Sequence, residues 1–219
     1  EQHRFGVEQR GALTQREPRP HLLAMSATPI PRTLSLTVYG DLDITTLKIL
    51  PKGRKTITTT LANSNVSENN AYELVRQQIA LGRQAFVVCP LIEPSDSIEA
   101  ASALVEFDRL SNGEFKDLRV GLLHGRMKLP EKQEVMDRVR KGDIDVLVAT
   151  PVIEVGVDIP NATVMMIMSA YRFGLAQLHQ LRGRVGRGED ESYCVLMSNS
   201  DGAVANERLE VVLNTSDGF

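Results

Sequence analysis

From residue 84 onward the sequence repeats one pattern: a short unbroken apolar run, a turn, then a helical stretch. The runs are Gln84–Cys89, Arg119–Leu123, Asp145–Ala149, Thr163–Met168 and Tyr193–Met197. Apolar residues fill consecutive rather than alternate positions, so each run reads as a strand covered on both faces. Strands of that kind, separated by helices, imply a parallel sheet with crossover connections. The expected class is therefore α/β, a parallel sheet with helices on both faces.

One connecting helix is fully punctuated. Pro130 sits in the first turn with Glu131 and Glu134 after it. Val135, Met136 and Val139 form its apolar stripe, Arg138, Arg140 and Lys141 fill its last turn, and Gly142 stops it. Asn63–Asn70 reads as a polar loop entering another helix. The first fifty residues read as a separate unit. A buried strand is expected at His21–Ser26, breaks at Pro29 and Pro31, a short helix over Arg32–Val38 and a further strand over 41–50. Pro51-Lys52-Gly53 then suits a linker. One strand-turn-helix cannot cover both faces of a sheet. Residues 1–50 are thus expected to be the remnant of a domain lying mostly elsewhere, with 51–56 a linker and 57–219 a second domain.

Composition narrows the function classes. The net charge is −3, so nucleic-acid binding would need a local basic stripe. Trp is absent and aromatics are 5%, which argues against base stacking and for contacts to phosphates. Cys89 and Cys194 lie inside apolar runs and read as buried free thiols in a reducing cytosol. No metal-ligand spacing appears among Cys and His, and no apolar run approaches a membrane span.

The segment with the most chemistry is Gln177–Gly188, QLHQLRGRVGRG. If it is helical, Gln180, Arg184 and Arg187 share one face at i, i+4 and i+7. Arginines so placed, beside Gly183 and Gly186, suit a phosphoryl group, because guanidinium is always charged and donates in parallel pairs. The plainer alternative is a solvated helix end capped by Gly188. Four other segments accompany it: Glu1-Gln2-His3-Arg4-Phe5-Gly6, Met25-Ser26-Ala27-Thr28-Pro29, His124-Gly125-Arg126-Met127 and Ala149-Thr150-Pro151 through Asp158. These segments are expected just beyond the carboxyl ends of strands, where open α/β sheets build their sites.

Taken together, these segments resemble the motifs of superfamily 2 helicases, most closely those that remodel branched DNA. The resemblance implies a RecA-like second motor domain at 57–219 and the tail of the first at 1–50. It implies that Glu1 positions the attacking water and that His3 couples the site. Ser26, Ala27 and Thr28 would link hydrolysis to DNA. His124, Gly125, Arg126 and Thr150 would touch DNA, and Gly156 and Asp158 the nucleotide. Arg184 and Arg187 match arginine fingers, with Gln180 opening their motif and Gly183 within it. The implied cofactors are ATP and Mg²⁺, both held mainly by the first domain, with no metal ligand in this chain. The implied partner is branched or duplex DNA, with replication-fork proteins as further partners, no membrane, a monomeric state and a bacterial cytosolic, nucleoid-associated location.

The chain also departs from the pattern. It begins one residue after the position of the family's Mg²⁺-holding Asp. It has no G-x-x-x-x-G-K-[ST] phosphate loop, so these residues alone are expected not to hydrolyse ATP appreciably. Pro151 stands where Thr is usual, and Met168 and Tyr171 where acidic residues are usual. Three rival readings are a transcription-repair coupling translocase, a non-catalytic DNA-binding module and a dinucleotide enzyme. The last is disfavoured because no G-x-G-x-x-G opens a βαβ unit.

Overall fold

The computed structural model describes residues 55–90, 96–154, 158–198 and 203–214, with His21, Leu23, Met25 and Thr45 as isolated positions. The chain divides into two units, Glu1–Leu47 with Gly218–Phe219, and Lys48–Asp217. The elements of the second unit run β1 (Ile57–Ala62), α1 (Asn65–Ala80), β2 (Gln84–Val88), α2 (Asp96–Asn112), β3 (Val120–Leu123), α3 (Leu129–Arg140) and β4 (Val146–Ala149). A 3-10 turn (Pro151–Glu154), β5 (Ala162–Ile167), a second 3-10 turn (Ala170–Arg172), α4 (Leu175–Arg182), β6 (Ser192–Met197) and α5 (Ala203–Asn214) follow.

The strands form one sheet in the order β1-β6-β5-β2-β4-β3, and every neighbouring pair is parallel. Successive side chains on a strand face opposite ways, which splits the apolar runs between two cores. Phe86, Leu147, Met165 and Leu196 face α3, α4 and α5, meeting Met136, Val139, Leu178, Leu181 and Leu209. Val87, Val148, Met166 and Val195 face α1 and α2, meeting Val75, Ala103 and Leu110. This is the α/β sandwich that unbroken apolar strands require. Each fully buried side chain of this size contributes about 1.5–3 kcal/mol. Cys89 and Cys194 are buried free thiols, and burial pushes both up to about 12.

The helix read from Pro130 is α3. Pro130 lies in its first turn, Glu131 accepts from the Lys128 N–H at 2.7 Å, and Met136 and Val139 are buried. Other expectations need correction. No strand is expected from the sequence between residues 51 and 83, yet β1 pairs with β6 along its whole length. Its sequence, ITTTLA, alternates half-buried and exposed because it is an edge strand, so it lacks the unbroken apolar signature. Asn65–Asn70 is the first turn of α1 rather than a loop. The Ser64 hydroxyl accepts from the Ser67 N–H, and the Ser67 hydroxyl accepts from the Ser64 N–H. At His21–Ser26 the described residues His21, Leu23 and Met25 lie in no strand and are exposed, Leu23 at 80% and Met25 at 65%. The other residues of that run, 22, 24 and 26, lie outside the described residues. Thr45 is likewise in no strand, and the rest of 41–50, Pro29, Pro31 and Arg32–Val38 lie outside the described residues.

Candidate functional site

The candidate residues that are described fall at two opposite edges of the sheet. At the carboxyl edge, His124 directly follows β3 and Thr150 directly follows β4. These strands pair through Leu123 and Ala149, and the Thr150 N–H donates to the Leu123 carbonyl at 3.1 Å. The His124–Arg126 segment and Thr150 are therefore neighbours. The Met127 N–H donates to the His124 carbonyl, 3.2 Å, closing a turn that leaves Arg126 exposed. Lys132 Nζ donates to the Gly125 carbonyl at 2.6 Å. Burial lowers the His124 imidazole below its ordinary value, and the nearby Lys132 and Arg126 charges lower it further.

This edge keeps polar atoms unpaired. His124 Nδ1, Thr150 Oγ1 and Ser198 Oγ are buried without a hydrogen-bond partner, and each residue directly follows a strand. An unpaired buried polar group costs about 1–3 kcal/mol, so each of these atoms retains the capacity for a further hydrogen bond.

The amino edge holds the arginine segment, and here the sequence reading is corrected. Gln180 is on α4, but the helix ends at Arg182, with Gly183 as its C-cap donating to the His179 carbonyl. Arg184 and Arg187 lie beyond it, so the three side chains share no helix face. The cause is the glycines: each disfavours helix, and Gly186 takes φ +71°, which stops one outright. A Cβ on Gly186 would sit 2.9 Å from Ile57 Cγ1 and 3.7 Å from Ser192 Cβ, at the first residues of β1 and β6. Nor does Gly188 cap the helix; a Cβ there would sit 2.9 Å from the Pro160 carbonyl oxygen. The segment therefore packs against the amino ends of the strands.

That packing brings Asp158 to Arg187. Nη1 of Arg187 donates to Asp158 Oδ1 at 2.9 Å, and its Nε donates to the Gly183 carbonyl at 3.3 Å. Arg184 is half-buried, and its N–H donates to the Leu181 carbonyl. Nearby, Arg83 bridges Asn161 (3.3 Å) and Asp190 (2.7 Å), while the Asn161 amide donates to the Gly82 carbonyl. These residues, each just before β2, β5 or β6, were missed in the sequence; their signal was a polar residue at each strand start.

Arg182 was also overlooked. It is 7% exposed, Nη1 donating to the Val212 carbonyl and Nη2 meeting His179 Nδ1 at 2.8 Å. Burial lowers its guanidinium from the ordinary value. Of the motif's three arginines this one ties α4 to α5, a division that identical residue types could not reveal. Pro151 opens a 3-10 turn, as a first-turn proline can. Glu1, His3, Ser26, Ala27, Thr28 and Gly156 lie outside the described residues. Among the described residues no three or more His, Cys, Asp or Glu side chains gather to hold a metal ion.

Fold and site together define a RecA-like helicase motor domain. The chain belongs to the helicase conserved C-terminal domain family, whose model matches residues 69–189. It is similar throughout to the ATP-dependent DNA helicases RecG of Thermotoga maritima (50% identical over 219 residues) and Synechocystis (48% over 219 residues). Each match covers 100% of this chain and 28% and 26% of those proteins, so the chain spans about a quarter of their length. A solved structure of RecG bound to a three-way DNA junction superposes with a TM-score of 0.79 at 45% identity, covering 100% of this chain and 28% of that one. Yeast Dbp5 bound to RNA and ADP BeF3, 17% identical with a TM-score of 0.58 over 86% of this chain and 46% of that one, shares the fold.

Proposed function

We propose that this chain supplies the second motor domain, residues 57–219, of an ATP-dependent helicase that acts on branched DNA. Residues 1–50 are then the tail of the first motor domain and 51–56 the linker. The observation that carries this reading is the separation of the two candidate sites to opposite edges, each with the chemistry its ligand needs. The end-to-end similarity to RecG, one example bound to a three-way junction, supports it.

On this reading the amino edge faces ATP. Arg187, braced by Asp158 and the Gly183 carbonyl, meets the γ-phosphate together with Arg184, while Gln180 and Gly183 line the approach. An arginine used in this way contributes roughly 10³–10⁵ in rate. Gly156 and Asp158 serve the nucleotide. Glu1 and His3 act from the first domain, which also holds most of the ATP and the Mg²⁺. The carboxyl edge faces DNA through His124, Gly125, Arg126 and Thr150, and Ser26–Thr28 relay between the ligands. The protein works as a monomer in the bacterial cytosol, at the nucleoid and beside replication-fork proteins. The test is ATP turnover by the full-length protein with and without a three-way DNA junction. Turnover that rises with the junction is expected; no turnover, or turnover indifferent to DNA, overturns the reading.

A further inference from the structure

Lys132 has no obvious structural reason to be where it is. Its N–H donates to the Lys128 carbonyl at 3.0 Å, which places it near the start of α3. A cation at a helix N-terminus opposes the macrodipole, so this charge does not serve the helix. Its side chain is half-buried and reaches back to the Gly125 carbonyl at 2.6 Å, a charge-assisted hydrogen bond. That bond crosses from α3 to the middle of the His124–Arg126 turn. The turn's other closure is the Met127 N–H to His124 carbonyl bond. Arg126, Lys128 and Lys132 then gather positive charge around the turn against Glu131, while His124 Nδ1 and Thr150 Oγ1 lie buried and unpaired beside it.

We propose that Lys132 is a positioning residue: by gripping the Gly125 carbonyl it holds the His124–Arg126 turn in the shape that presents Arg126 to a nucleic-acid phosphate. The inference rests on reading the carboxyl edge as the DNA side. It assigns a task to a residue outside the turn, carried by one donor of the ammonium rather than by its charge alone.

The experiment measures binding of a fluorescent three-way DNA junction by the full-length protein across a salt series. It compares Arg126→Ala, Lys132→Met, Lys132→Gln and the double variant Arg126→Ala/Lys132→Met, with thermal melting to verify folding. Lys132→Met is expected to weaken binding about as much as Arg126→Ala, roughly tenfold, and to lower the salt slope by about 1. The double variant should then be no weaker than Arg126→Ala, because both changes remove one contact. Lys132→Gln, which keeps a neutral amide donor that reaches the Gly125 carbonyl after a small shift of the turn, should remain closer to the parent than Lys132→Met. Additive losses with a slope lower by about 2 would show Lys132 contacting phosphate itself and overturn the positioning role. Normal binding by Lys132→Met beside a weakened Arg126→Ala would overturn it too. Normal binding by Arg126→Ala would instead overturn the DNA reading of this edge.

Discussion

The two edges of this sheet satisfy their polar groups in opposite ways. At the amino edge Arg83, Asn161 and Asp190 bridge the starts of three strands, and Arg187 already holds Asp158. At the carboxyl edge His124, Thr150 and Ser198 keep buried polar atoms without partners. An edge that is internally paired is preformed and can offer a guanidinium in a fixed place. An edge with unpaired donors and acceptors keeps hydrogen-bonding capacity for a ligand or water. The pairing at Arg187 is nonetheless light: it uses one nitrogen and one oxygen, and Asp158 is 68% exposed. Such a pair is worth about 0–1 kcal/mol, less than a guanidinium gains on a phosphate, so it orients Arg187 without competing for it.

The sharpest test of this contrast is Arg187→Ala in the full-length protein. ATP turnover should fall about 10³-fold or more while junction binding stays within about twofold. Equal losses of both would merge the two edges into one site. Gly186→Ala comes next. A side chain at φ +71° and 2.9 Å from Ile57 should cost roughly 2–4 kcal/mol, read as a fall of several degrees in Tm. An unchanged Tm would mean that the arginine turn does not need its wall of strand ends. Arg126→Ala should weaken binding to junctions of any sequence about tenfold and lower the salt slope by about 1, with ATP affinity unchanged. Loss confined to some sequences would point to base readout instead.

The smallest effect concerns pH. The His124 imidazole titrates below 6.5 in the folded chain because burial, then Lys132 and Arg126, disfavour its charge. The unfolded chain takes up that proton first. Stability should therefore be level above about 6.5 and decline as pH falls below it towards the folded-state pKa. His124→Gln should flatten that decline in urea unfolding curves taken between pH 7 and 5. A decline of the same size in the variant would assign it elsewhere.

The central sheet was legible because its strands are buried on both faces, a state that demands unbroken apolar runs. β1 was not, because an edge strand is half wet and its threonines read as loop. The helix start at Ser64 was missed for a related reason: serine capping serine gives only polar letters. At the site, the residue types in QLHQLRGRVGRG pointed to phosphate chemistry, but periodicity assumed a helix that its own glycines end. Which arginine is buried, which is braced and which edge they occupy depends on Gly186 meeting Ile57 and Gly188 meeting Pro160. Those contacts join residues far apart in the chain and leave no local trace.

One consequence concerns the order of assembly. Among the described residues the first strand of the sheet in chain order pairs with the last, and the arginine turn rests on both, against Ile57 of β1 and Ser192 of β6. A nascent chain that has not yet delivered β6 lacks half of that seat. The turn that carries Arg184 and Arg187 would then reach its arrangement only after β6 has joined β1.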